Sequence, residues 1–155
     1  MRQTEMLVMK AFRRYRDRLI RAMGRGPLID HDIDVVGRAE FGRRWGGVSL
    51  QSEWRPTRNH FYIVNTSWAP ASRGEHWVGV YVTPAGVVYV YDSYGRDVRR
   101  LLHHVGKTAR LWGAEPLKST DDDQEQRGAS AVCGHLSLAW LMIVRDMGIR
   151  KAWHV

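Results

Sequence analysis

Near the start of the chain, Val8, Phe12, Tyr15, Leu19 and Ala22 recur at steps of four and three, the spacing of one face of an amphipathic helix. Gly24, Gly26 and Pro27 follow and end it, because glycine and proline stop helices. Residues 1–26 are therefore expected to form a basic helix packed on the domain through this stripe, with its arginines outward. Next, "LIDHDIDVVG" alternates acidic and apolar residues, which predicts an edge strand or a loop. "FGRRWGGVSL" is rich in glycine but is not a phosphate loop, since it lacks the G-x-x-x-x-G-K-[ST] pattern.

From residue 61 the period shortens towards two. "FYIVNT" predicts a short apolar strand, and "HWVGVYV" (His76–Val82) and "VVYVYDSY" (Val87–Tyr94) predict two more, dense in valine and tyrosine. Between the last pair, Pro84, Ala85 and Gly86 suit a type I turn with glycine in a left-handed bulge position. That loop pairs Thr83 with Val87, and by counting back Val78 with Asp92 and His76 with Tyr94. His76 and Asp92 then fall on one face, one step apart diagonally and within reach of a side-chain hydrogen bond; a slip of one residue would send them to opposite faces.

Helical spacing returns at about Val98 to His104. "DDDQEQRGAS" reads as a polar loop, and Ala131 to Met147 as a strongly apolar helix closed by Gly148. A helix that is apolar on most sides is buried. The sum is an α+β fold: one domain, residues 1–155, with an antiparallel or mixed central sheet flanked by helices, and no internal repeat.

Composition adds boundaries. The 155 residues suit a single core, and 44% hydrophobic with 26% charged residues are ordinary globular values. One cysteine forms no internal disulfide and excludes a Cys-rich zinc site, so the chain reads as intracellular. No apolar run approaches the ~20 residues of a membrane span. The first residues lack the apolar core of a secretory signal, and Glu5 and Asp17 count against a mitochondrial presequence. The net charge of +8, carried largely by arginines such as Arg13, Arg14, Arg16, Arg18, Arg21 and Arg25, favours contact with a polyanion such as nucleic acid. Asp30, His31, Asp32 and Asp34 lack a metal-ligand spacing, and the three aspartates read as solvated loop carboxylates.

The lone thiol, Cys133, stands where the polar loop meets the last helix. A helix N-terminus offers free N–H groups and a dipole that stabilise a thiolate, lowering the thiol pKa from ~8.5. His76, oriented by Asp92, would complete a nucleophile, base and orienter. The backbone N–H of Cys133 and the amide of Gln126 are candidate oxyanion donors, with Gln124 as a competitor of Gln126. Gly134, without a side chain, leaves room beside the thiol.

The order His-Trp, acid before a glycine turn, Gln, then Cys-Gly resembles the adenovirus-type (adenain-like) cysteine proteases, within the clan that includes the ubiquitin-like-protein-specific proteases. It is carried by "FYIVNTSWAPASRGEHWVGVYV", "VYVYDSYGR" and "LKSTDDDQEQRGASAVCGHL", roughly Phe61 to Met147. The resemblance implies a papain-like active site in rearranged chain order that cuts proteins or polyproteins at Gly-containing sites. His76 would be the general base, Asp92 its orienting acid, Gln126 the oxyanion donor and Cys133 the nucleophile, with Trp77 and Gly134 beside the substrate. Asp92 stands where adenoviral enzymes carry glutamate and the ubiquitin-like branch aspartate. The resemblance implies no metal; it allows DNA or an activating peptide as activator, although no second cysteine exists here for a disulfide to such a peptide. It also implies an infected cell, nucleus or cytoplasm, or a virion, as the location. The chain is shorter than the adenoviral enzymes, so part of their scaffold is expected to be missing. Rival readings are a ubiquitin-like-protein protease or an acetyltransferase of the same clan, and a basic nucleic-acid-binding module with an inert thiol. Self-cleavage near "AMGRG" is a minor further expectation.

Overall fold

A computed structural model of the chain describes residues 2–66, 76–113, 118–120 and 131–155. Among them, α1 (Gln3–Met23) is followed by α2 (Asp30–Phe41), a 3-10 turn (Gly42–Arg44), and strands β1 (Trp45–Leu50), β2 (His60–Asn65), β3 (Trp77–Val82) and β4 (Val88–Tyr91). Then come α3 (Val98–Leu101), α4 (His103–Leu111), the two-residue β5 (Lys118–Ser119), α5 (Cys133–Met147) and α6 (Ile149–Ala152). The sheet has the order β1-β2-β3-β4-β5. Its centre, β2-β3-β4, is antiparallel, while β1 on β2 and β5 on β4 are parallel. The fold is thus α+β with a mixed sheet between helices, as the periodicity implies.

Alternation along the strands divides two cores. Val78, Val80, Val82, Val88 and Val90 face α3 and α4, packing on Val98, Leu102, Val105 and Ala109. Tyr81 and Tyr91, with Phe61 and Ile63, face the other way onto α1, α2 and α5. A sheet covered on both faces accounts for strands that read as near-continuous apolar runs. The α1 stripe docks through Val8, Phe12 and Leu19, while Ala22 at its end is exposed. In α5 every residue from Gly134 to Val144 is buried.

The β3–β4 register is the one that the turn chemistry predicts: Val82 opposes Val88 and Gly79 opposes Tyr91. Thr83 N–H donates to Val87 O at 2.9 Å, and Gly86 takes the left-handed φ of 88°. One expectation is corrected. "LIDHDIDVVG" is neither strand nor loop but the start of α2, whose buried residues Ile33, Gly37 and Phe41 keep a step of four. The acid–apolar alternation is incidental, and Asp30 and Asp32 sit in the first turn, where the helix dipole favours negative charge. Asp34 is no solvated loop carboxylate either: it accepts from Trp45 Nε1 at 2.8 Å and Arg38 Nε at 2.7 Å. The helix expected at Val98–His104 bends at Leu102 (φ −118°, ψ 49°) and runs on to Leu111.

Candidate active site

The open end of the β3–β4 hairpin, opposite its turn, is where the chemistry-bearing side chains meet. His76 immediately precedes β3 and Asp92 immediately follows β4; both are buried. His76 Nε2 lies 2.5 Å from Asp92 Oδ1. Cys133 opens α5 and hydrogen-bonds His76 through its thiol. Since Nε2 is taken by Asp92, Nδ1 is the ring nitrogen left for the sulfur. Three groups from distant parts of the chain therefore converge.

Each is positioned by its own element. Just past the end of β2, Thr66 N–H donates to His76 O at 2.9 Å while His76 N–H donates to Thr66 Oγ1 at 3.2 Å. This fixes the backbone that carries the imidazole. Because residue 76 bonds β2, the peptide groups of Trp77 turn the other way, in the alternation of an antiparallel ladder. There the β4 pairing has ended, and α5 fills the gap. Ser137 Oγ donates to Trp77 O at 3.1 Å, and Trp77 N–H donates to the Cys133 sulfur. The N-cap, Val132, supplies no side-chain acceptor, so the positive end of the helix faces the thiol.

Burial alone raises the Cys133 pKa, but hydrogen bonds from His76 and from the backbone N–H groups of Trp77 and Gly134 outweigh it and hold the thiol below its ordinary value. For His76, burial disfavours the imidazolium, yet the bonds to Asp92 and Cys133 prevail and raise its pKa. Burial likewise works against the Asp92 carboxylate, but the contacts with His76 and Arg96 keep it well below the usual carboxylate range. All three shifts favour a thiolate–imidazolium pair beside a carboxylate.

The remaining expected residues fall as follows. Trp77 is half-buried, and its indole Nε1 donates to Leu28 O at 3.0 Å. A Cβ on Gly134 would lie 3.1 Å from Leu28 Cδ1, so the linker between α1 and α2 occupies the space beside this glycine. Gln126 and its competitor Gln124 lie outside the described residues. Among the described residues no cluster of three or more His, Cys, Asp or Glu is arranged to hold a metal, and no helix is long and apolar enough to cross a membrane.

Arg96 is the contributor that sequence reasoning missed. Its Nε and backbone N–H reach Asp92 Oδ2 at 2.9 and 3.0 Å. The signal was present in "DSYGR": Gly95 N–H donates to Asp92 O at 2.9 Å, with Gly95 at φ 66°. That tight turn brings the residue four past the acid back onto it.

No family model and no curated protein matches the chain. Among solved structures it is similar to the ASFV pS273R protease, with a TM-score of 0.51 and 15% sequence identity over 83% of this chain. The match spans 65% of that protease chain. At this identity the likeness shows a shared fold, that of a viral protease, and leaves the chemistry to be argued from the residues above.

Proposed function

We propose that this protein is a cysteine endopeptidase of the clan that holds the viral and ubiquitin-like-protein proteases, working through Cys133, His76 and Asp92. The observation that carries the reading is the junction of a lone thiol at an uncapped helix start, an imidazole on that thiol, and a buried carboxylate 2.5 Å from the far ring nitrogen. The Cys133 thiolate attacks a peptide carbonyl carbon. The oxyanion is met by the Cys133 backbone N–H, with Gln126 as second donor. The His76 imidazolium protonates the leaving amine, and neutral His76 then takes a proton from the water that hydrolyses the acyl-enzyme. Asp92 holds the ring and stabilises its charged form. Fold likeness to a viral protease and the motif order support a substrate among precursor proteins cut at Gly-containing sites.

The basic surface supports a second, compatible feature. Arg13, Arg14, Arg21 and Arg25 are all exposed on or just after α1, a placement suited to phosphate contacts and therefore to nucleic acid as a partner.

The test uses the single cysteine. Incubated with a Gly-Gly-containing precursor or fluorogenic peptide, the wild-type protein is expected to cleave it, and Cys133→Ala to lose all cleavage while keeping its circular dichroism spectrum. Cleavage by Cys133→Ala, or a wild-type thiol that reacts with iodoacetamide only near the ordinary thiol pKa of ~8.5, would overturn the reading.

A further inference from the structure

Asp92 has two oxygens, and two cations compete for them. Oδ1 meets His76 Nε2 at 2.5 Å, and also Tyr94 N–H at 3.3 Å and an Arg96 terminal nitrogen at 3.5 Å. Oδ2 accepts from Arg96 twice, through the backbone N–H and through Nε. The Asp92 side chain is 0% exposed, whereas that of Arg96 is 44% exposed. The guanidinium also lies over the Tyr94 ring, 5.1 Å from its centroid, and that ring is tilted against His76 with centroids 5.1 Å apart. Cys133, Asp92, Tyr94 and Arg96 are the titratable or charged groups of the described residues that this geometry gathers around His76.

We propose that Arg96 is a positioning and tuning residue: it shares the Asp92 carboxylate with His76, braces Tyr94 against the ring, and so limits how tightly the imidazolium keeps its proton. The proposal rests on the reading of His76 as the base. Two main-chain N–H groups hold the carboxylate whatever side chain stands at position 96. Removing the guanidinium therefore chiefly removes a positive charge and leaves Asp92 oriented. More of the carboxylate's charge then serves His76, and the imidazolium deprotonates at higher pH. Direct Asp–Arg pairing shifts a carboxylate by about 1–3 pH units. Half exposure screens the effect, so the expected rise at His76 is roughly 0.5–1 pH unit.

The experiment compares the wild type with Arg96→Gln, Arg96→Met and Arg96→Lys, using Arg100→Gln on the exposed face of α3 as control. Two readouts are taken from about pH 4 to about pH 10: the iodoacetamide reaction rate of Cys133 and the NMR titration of the His76 ring protons. The wild type is expected to show a reactive thiolate below the pH at which His76 deprotonates. Arg96→Gln and Arg96→Met should both move the His76 midpoint upward, while Arg96→Lys, which keeps the charge, and Arg100→Gln stay near the wild type. A midpoint that is unmoved or lowered in the Gln and Met variants overturns the proposal, and so does a Lys variant that moves as far as they do. If the wild-type thiol instead ionises alone near pH ~8.5, the protease reading itself fails, an outcome distinct from either of these.

Discussion

Gly79→Ala tests whether the crossing of α5 over β3 sets the reactive geometry. A Cβ at position 79 would lie 3.1 Å from Trp140 Cε3 and 3.3 Å from Ser137 O, both on α5. Carbon atoms prefer separations of about 3.5–4.0 Å, so the helix must give way by a few tenths of an ångström. The Trp140 ring has no free direction to swing. It is fully buried, stacked on Tyr91 with centroids 5.5 Å apart, and tied by its Nε1 to Ala152 O at 3.0 Å. The strain therefore moves α5 itself. Overpacking of this kind costs about 1–3 kcal/mol, offset by about 0.5–1 kcal/mol because alanine loses less freedom than glycine in a strand. The net loss is about 1 kcal/mol at the centre of these ranges and at most about 2.5 kcal/mol, which lowers Tm by about 2–4 °C at the centre and by up to about 10 °C for a domain of this size. Ser137 sits one helical turn from Cys133, so the sulfur shifts against His76 and Trp77, and its neutral-pH alkylation rate should fall roughly 3–10-fold. Gly26→Ala, whose Cβ meets nothing within 4 Å, serves as control. A Gly79→Ala protein as stable as the wild type, with an equally reactive thiol, would refute this account of how the helix is seated.

Asp92→Asn should flatten the acid limb of stability. The Asp92 pKa is depressed by folding, so the unfolded chain binds the extra proton, and the contribution present above about pH 4 is lost as pH falls below it. Urea midpoints at about pH 5 and about pH 3 should then differ less in the variant than in the wild type; equal differences would sink this assignment. The same variant, lacking the charge that sustains the imidazolium, should alkylate at Cys133 more slowly at neutral pH. Trp77→Phe removes the indole donor to Leu28 O and should cost about 0.5–1.5 kcal/mol in chemical denaturation, with no loss if the linker between α1 and α2 does not depend on that bond.

Local chemistry was legible where a few neighbouring residues decide the outcome. Pro84, Ala85 and Gly86 dictate one turn, the turn dictates the register, and the register brings His76 to Asp92. What escaped the sequence was packing built on glycine, which carries no signal in an apolar count. Gly37 completes the buried stripe of α2 because a Cβ there would stand 2.2 Å from the Trp45 ring. In β1 a Cβ on Gly46 would stand 2.1 Å from the Tyr62 ring, although Gly46 itself is exposed. The helix α2 thus loses one member of its apolar stripe for want of a side chain that the neighbour's aromatic ring replaces. β5, two residues long, has no period to read at all. The meeting of Cys133 with His76 lies between these cases: the residue types announced it, but only the packing of α5 on β3 brings it about.

That packing and the chemistry have a common origin in the place where β4 stops. The last β3–β4 pair is Gly79 with Tyr91. Had β4 continued two residues further, the peptide groups of Trp77 would have been consumed by a ladder partner, as obligatory main-chain donors and acceptors are. Instead the chain turns at Asp92–Gly95. The carboxylate is thereby aimed at His76, Arg96 is folded back onto it, and the main chain of one β3 residue, Trp77, is left to α5: its C=O for Ser137 and its N–H for the Cys133 sulfur. The interruption that weakens the sheet supplies the donor that the thiolate needs, so extending the hairpin would trade reactivity of the thiol for regularity of the fold.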